Sequence, residues 1–199
     1  MPGCFDAFET AVCAILGQQI TVKAASVLVG RIASACGTPV ETGIEGLTHT
    51  FPHPESIVSL ENAVEETLGE LGVIAARSKC IFALAKALEN GKNELDGCMN
   101  PETEMKKLMK IKGIGSWTAN YIDMRAMERP DAFLETDIGI KHALPGLYTE
   151  RTSSNIRKME TMEKLCDYEF IEFVIIRTEK PYDLYLSLLL AFGWYHTFK

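Results

Sequence analysis

Two glycines around one apolar residue, Gly113-Ile114-Gly115, stand between two stretches of helical periodicity. The full pattern is Leu108-x-x-Ile111-x-Gly113-Ile114-Gly115-x-x-Thr118-Ala119. Glycine tolerates positive φ and close backbone approach, so one helix can reverse into the next within a few residues. The amides opening the second helix then point outward and can bind a phosphate. Lys106, Lys107, Lys110 and Lys112 surround the turn, and no acid lies between Met105 and Trp117. That is a local basic patch on an acidic chain. From Gly-x-Gly alone, a plain turn between packed helices with a solvated lysine face is an equal reading, because short motifs recur by chance. The apolar flanks and Thr118-Ala119 tip the reading toward DNA. Trp117 and Tyr121 are one helical turn apart and can face one cleft, with burial in the core as the alternative. Thr136-Asp137 is a good helix N-cap on its own terms, with the carboxylates of Asp131 and Glu135 close by.

At these residues the chain resembles a known family. Leu108 to Tyr121, LMKIKGIGSWTANY, is similar to the helix-hairpin-helix of the DNA glycosylase superfamily, and within it to the DNA-3-methyladenine glycosylase II (AlkA-type) branch. FDAFETAVCAILGQQITVKAA, from Phe5, resembles that branch's first core helix and its Leu-Gly-Gln turn. FLETDIGIKHALPG, residues 133 to 146, resembles the segment that carries the catalytic Asp. The likeness covers roughly residues 5 to 146, and the tail diverges.

The resemblance implies roles for particular residues. The family's Asp, about twenty residues past the hairpin, corresponds to Asp137, twenty residues after Trp117. Breaking an N-glycosidic bond builds positive charge on the sugar, which a fixed carboxylate stabilises. The same group can orient or deprotonate the attacking water. Where bifunctional members place a Schiff-base lysine, this chain has Trp117. Tryptophan cannot form that covalent adduct, so the implied enzyme is monofunctional and leaves an abasic site. Trp117 and Tyr121 match aromatic pocket positions, which suit a cationic alkylated purine. Tyr182 matches another more loosely, with a core role equally open. Gly113, Ile114, Gly115, Ser116, Lys112 and Thr118 are the implied DNA contacts, and Lys141 either meets a phosphate or is solvated. A base-flipping enzyme must fill the gap it leaves. The resemblance puts that wedge in the Gln18-Gln19 turn, Gln19 being the better candidate and a polar loop residue the alternative. Family hairpins also hold Na+ or K+ through carbonyls, here those of Met109, Ile111 and Gly113. No cofactor is required, and the closely spaced cysteines of an iron–sulfur cluster are missing from the C-terminal region. Three departures stand out: Ile138 replaces a frequent aromatic, Tyr182 is followed by Asp183 rather than arginine, and the chain begins almost at the first core helix. The extra N-terminal β-rich domain of AlkA-type proteins is therefore expected to be absent.

The elements that must position these groups read as helices. Asp6-Ala7-Phe8-Glu9 is a capping box, and Phe8, Val12, Ile15 and Leu16 follow at helical spacing. Thr21 caps a helix from Val22 to Cys36, closed by Gly37. Residues 37 to 54 read as a loop, Pro54 to Leu71 as one or two short helices, and Val73 to Glu89 as a longer one stopped by Asn90-Gly91. Asn100-Pro101 opens the helix before the hairpin, and Ser116 to about Met127 the helix after it. A short helix from Asp137 to Pro145-Gly146 and two more over 151–167 and 182–197 complete the pattern. Residues 170 to 176 are β-rich but isolated. The expected class is all-α, with the helix-hairpin-helix glycosylase fold as one domain over 1–199. Its two helical lobes, about 5–129 and 130–199, would flank a DNA- and base-binding cleft.

Composition narrows the setting. The formal charge of −7 opposes general nucleic-acid binding, since phosphate contacts need Lys and Arg. Any DNA binding must come from a local patch. No run of about 18 apolar residues suggests a membrane span, and no basic start with an apolar stretch suggests a secretory signal. An intracellular monomer acting on double-stranded DNA with a damaged base is the expectation. The six cysteines (Cys4, Cys13, Cys36, Cys80, Cys98, Cys166) form no C-x2-C pair, so zinc is not indicated. Most lie in apolar patterns and read as buried thiols. His49, His53, His142 and His196 show no ligand spacing. Two other readings stand beside the glycosylase: a non-enzymatic or degenerate hairpin module that recognises distorted DNA, and a helical protein-interaction domain, which would suit the acidity but not the hairpin.

Overall fold

The computed structural model describes residues 4–129 and, beyond them, Ala132, Leu134 and Asp137. Residues 4–129 fall in one compact unit, and the other three belong to a second. The first unit is helical: α1 Ala7–Leu16, α2 Val22–Cys36, α3 Pro54–Val58, α4 Val64–Glu70, α5 Ala75–Glu89, α6 Pro101–Leu108 and α7 Ser116–Arg125, with a 3-10 turn Glu61–Ala63 before α4. Among the described residues there is no strand, only one antiparallel bridge between Pro39 and His49 in the long α2–α3 loop. None of the described helices is long and apolar enough to cross a membrane.

Local chemistry starts these helices where the sequence reading placed them. The Asp6 carboxylate accepts the Glu9 amide at 2.6 Å. Thr21 accepts the Ala24 amide at 3.2 Å, and Asn100 accepts that of Thr103 at 3.1 Å. Each such cap contributes about 1 kcal/mol. One start differs: α5 begins at Ala75, two residues later than expected. Gly72 takes a φ of +96°. The Val73 amide bonds back to the Leu68 carbonyl at 3.0 Å, the six-to-one bond that closes a helix end. Val73 therefore finishes α4 instead of opening α5.

α1 is the hub of the unit, packing against α2, α5 and α7. Its Ala11, Val12, Ile15 and Leu16 are fully buried, because neighbours cover it on several sides. Ala119 and Ile122 of α7 and Ile81, Leu84 and Ala85 of α5 complete this core. Each large apolar side chain so buried stabilises by roughly 1.5–3 kcal/mol. The cysteine expectation needs correction. Of the described cysteines only Cys80 is buried, while Cys4, Cys13, Cys36 and Cys98 keep some exposure. Cys4, Cys36 and Cys98 sit at a helix end or in a loop, where neighbours cannot enclose them on all sides. The expected helices over 138–146, 151–167 and 182–197 and the β-rich stretch 170–176 lie outside the described residues.

Candidate functional site

The hairpin forms as its glycines predict. After α6 the chain tightens through 3-10 bonds, Lys110 amide to Lys107 carbonyl, Ile111 to Leu108 and Ile114 to Ile111, at 2.9–3.0 Å. Gly113 then takes a φ of +104°. A Cβ at this glycine would lie 3.0 Å from the Cys80 Sγ and 3.1 Å from its Cβ. The turn thus rests against α5 so closely that a Cβ here would push Cys80 back by a few tenths of an ångström. Leu108 and Ile114, the apolar flanks, are buried and pin both arms.

Gly115 is the extended N-cap of α7, and no side chain caps that helix. Its first-turn amides carry the positive end of the helix dipole without a capping side chain in front of them. Lys112, Gly113, Gly115 and Ser116 are exposed here. Ile114 and Thr118 are buried, so of these two only backbone can face a ligand, which narrows the expected contact set.

The lysine patch is also smaller than the sequence suggests. Lys107 Nζ lies 2.6 Å from Glu104 Oε1. The buried Glu104 also accepts from Asn93 Nδ2 at 3.2 Å and the Glu94 amide at 3.0 Å. Burial pushes the Glu104 carboxyl up, but the hydrogen bonds from Lys107, Glu94 and Asn93 outweigh it and hold it below the usual range. Glu104 therefore anchors α6 to the preceding loop, and Lys107 balances its charge. Lys106, Lys110 and Lys112 remain as the exposed cations. Arg129, 3.6 Å from the buried Asp123 and 3.8 Å from Glu102, ties the end of α7 to the start of α6.

The α1–α2 turn comes directly to this hairpin. Gln18 Nε2 donates to the Gly113 carbonyl at 3.0 Å and to Thr118 Oγ1 at 2.9 Å. Arg77 in the first turn of α5 donates to the Gln18 carbonyl. Gln19, the expected wedge, is exposed and held at a φ of +57°. The left-handed region costs an ordinary L-residue on the order of 1–2 kcal/mol. Such strain persists where its surroundings over-determine it. Sequence reasoning named the Gln18-Gln19 turn and favoured Gln19, but missed the bracing role of Gln18 and did not name Arg77 or Cys80. The Gly-Gln-Gln triplet signalled the turn, but nothing signalled which distant groups would hold it.

Trp117 and Tyr121 stack on each other, with centroids 5.3 Å apart and planes inclined by 16°. They form two layers rather than two walls of a slot: Tyr121 is 4% exposed, and Trp117 is half-buried above it. Burial pushes the Tyr121 phenol up to about 12. A phenol in the unfolded chain ionises near 10, so this burial stabilises fully below pH 10 and is lost as pH rises toward 12. Between those limits the fold should lose on the order of 2 kcal/mol through Tyr121. Urea midpoints at pH 9 and pH 11.5 should therefore fall further for the wild type than for Tyr121→Phe. Cys80, pushed by burial to about 11, titrates in both proteins and cancels from the difference. Equal falls would mean that Tyr121 ionises as freely in the folded state as in the unfolded one.

Asp137, in the second unit, is 9% exposed, and its amide donates to the Leu134 carbonyl at 2.9 Å. Tyr182, Lys141, Ile138, Glu135 and Asp131 lie outside the described residues. Of the three carbonyls expected to face a cation, that of Gly113 accepts the Gln18 amide and that of Ile111 accepts the Ile114 amide at 3.0 Å. A carbonyl has a second lone pair, but the N–H dipole of Gln18 aims its positive end at the Gly113 oxygen. The Ile114 N–H does the same at the Ile111 oxygen, and the second lone pair of each stays open to a cation. Among the described residues, no His, Cys, Asp and Glu groups gather as a metal site.

Comparison with known proteins gives a consistent picture. A family model described as "HhH-GPD superfamily base excision DNA repair protein" matches residues 12–168. Over 143 residues, 72% of its length, the chain is 38% identical to the probable bifunctional transcriptional activator/DNA repair enzyme AlkA of Mycobacterium tuberculosis (strain ATCC 25618 / H37Rv), covering 28% of that protein. It is 35% identical over 158 residues, 79% of its length, to DNA-3-methyladenine glycosylase 2 of Escherichia coli (strain K12), covering 53% of it. The solved 3-methyladenine DNA-glycosylase from Archaeoglobus fulgidus matches with a TM-score of 0.60 at 27% identity, over 96% of this chain and 60% of that one. The chain thus spans 28% and 53% of the two curated relatives' own lengths.

Proposed function

The chain belongs to the HhH-GPD superfamily of base excision DNA repair proteins and has its helical fold, and on that premise we propose that it is a monofunctional DNA N-glycosylase acting on alkylated purines in double-stranded DNA. The observation that carries this reading is the hairpin: uncapped α7 amides at an exposed glycine turn, with Trp117 in the next residues of the same helix. Those amides would take a backbone phosphate, with Lys112 and Lys110 adding charge. Trp117, backed by Tyr121, offers a π face to a cationic base. Asp137 would stabilise the positive charge that develops on the sugar and orient water toward C1′. The C1′–N bond breaks, the cationic base leaves neutral with the bonding pair, and water supplies the hydroxyl as its proton passes to Asp137 and on to solvent. Trp117 forms no Schiff base, so the strand stays intact.

We further propose that the Met109, Ile111 and Gly113 carbonyls hold Na+ or K+ at the turn. The ion would supply positive charge near the phosphate, beside the α7 amides.

The test is a duplex carrying one alkylated purine, read for strand cleavage with and without alkali. Cleavage only after alkali supports a monofunctional glycosylase. Cleavage without alkali means a strand-cutting lyase, and tight binding without cleavage across a lesion panel means a DNA-recognition module. Salt dependence separates the lysines. Losing one phosphate contact lowers the slope of log affinity against log salt by about 0.9. Lys112→Ala should show that reduction, and Lys107→Ala, whose charge is taken by Glu104, should not.

A further inference from the structure

Three segments far apart in sequence meet at one glutamine. The Gln18 side chain spans from the α1–α2 turn to the hairpin, donating to the Gly113 carbonyl at 3.0 Å and to Thr118 Oγ1 at 2.9 Å. Its main-chain carbonyl accepts from the Arg77 guanidinium of α5. The next residue, Gln19, is an exposed non-glycine at a φ of +57°. The turn it sits in closes with a bond from the Ile20 amide to the Gly17 carbonyl at 3.5 Å. Glycine or asparagine usually takes the positive φ of such a turn. Without outside support, the chain would relax Gln19 toward negative φ and swing its side chain away.

We propose that Arg77 is a positioning residue: by gripping the Gln18 carbonyl while the Gln18 amide grips the hairpin, it locks Gln19 in the left-handed conformation that aims it at the DNA stack. This rests on the glycosylase reading and deepens it. The hairpin sets where the backbone phosphate lies, so a wedge must keep a fixed offset from the hairpin to enter the right base step. Gln18 supplies that offset, and Arg77 stops the turn from pivoting about the Gln18 side chain. Arg77 is only partly exposed, and it turns one of its five N–H donors to a main-chain oxygen. Its salt slope separates this positioning role from a phosphate contact of its own.

The experiment uses a duplex with 2-aminopurine next to one alkylated purine, whose fluorescence rises when the neighbouring base unstacks. Excision is read in parallel, for the wild type, Arg77→Met, Arg77→Lys, Gln19→Ala and the Arg77→Met/Gln19→Ala double variant. Misplacing a positioned group costs on the order of tenfold to a hundredfold. Arg77→Met should lose that much in flipping and in excision rate, with affinity and its salt slope unchanged. Arg77→Lys, which keeps one donor in reach of the carbonyl, should recover part of it. In the Gln19→Ala background, Arg77→Met should add almost nothing. A salt slope reduced by about 0.9 would make Arg77 a phosphate contact and overturn the proposal. So would losses that multiply in the double variant, or an Arg77→Met protein that flips normally. A wild type that flips but does not excise would sink the glycosylase reading while leaving the positioning role to be decided by the same variants. A wild type that does neither overturns both.

Discussion

Asp137→Asn should abolish excision of an alkylated purine while leaving DNA binding and stability close to wild type. Asparagine is nearly isosteric with aspartate and is as good an N-cap, so a residue that merely capped a helix would tolerate the change. A carboxylate that faces developing positive charge would not, because the amide has no net charge to offer. Removing one preorganised electrostatic group costs about 10²–10³-fold in rate, and losing a general base costs about 10²–10⁴-fold. Single-turnover excision should therefore fall by at least about a hundredfold. The low exposure of Asp137, 9%, favours a large effect, since a charge away from bulk water is screened less. Full activity in Asp137→Asn would make the residue a cap and assign the chemistry to another group.

Gly113→Ala should damage the hairpin from two directions. Alanine at a φ of +104° is in a region that costs ~1–3 kcal/mol. Its methyl would also press into the Cys80 Sγ at 3.0 Å and Cβ at 3.1 Å, and forcing extra carbon into a packed site costs typically 1–3 kcal/mol. The urea midpoint should drop accordingly, and DNA affinity with it, because the amides of α7 are aimed by this turn. Adding Cys80→Ala removes the sulfur but neither the Cβ contact nor the φ strain. The pair should therefore recover only part of the stability, and little of the affinity. Gly115→Ala offers the contrast: a Cβ there meets nothing within 4 Å and its φ is −88°, so stability should fall by no more than the roughly 1 kcal/mol of a weaker N-cap. If Gly113→Ala were as mild as Gly115→Ala, the close seat of the turn on α5 would be wrong.

The two glycines of the hairpin look alike in sequence and differ only in the fold. Periodicity and capping chemistry are local, so Asp6, Thr21, Asn100-Pro101 and the Gly-x-Gly turn could be read directly, and the helices start there. The family motif around the hairpin was legible for the same reason: its spacing is set by the geometry of one reversal within a few residues. The lysine patch was overread, because Lys107 finds Glu104 three residues back and that pairing depends on Glu104 being buried beside Asn93. The aromatic pair was half legible. One-turn spacing put Trp117 and Tyr121 on the same side of a helix, but only the packing of α7 against α1 buried Tyr121 and left Trp117 as the outer layer.

The sequence by itself determined the helical class, the caps, the hairpin and the absence of a Schiff-base lysine at Trp117, since each depends on residue types within a few positions of one another. Only the tertiary structure decided which glycine is sterically locked, which lysine is spent, and how Gln18 and Arg77 hold the turn before Gln19. The glycine depends on Cys80, 33 positions away, the lysine on a Glu104 held by Asn93, 11 positions away, and the turn on residues 59 to 100 positions from Gln18; no local pattern encodes these contacts, which form only once the helices have packed.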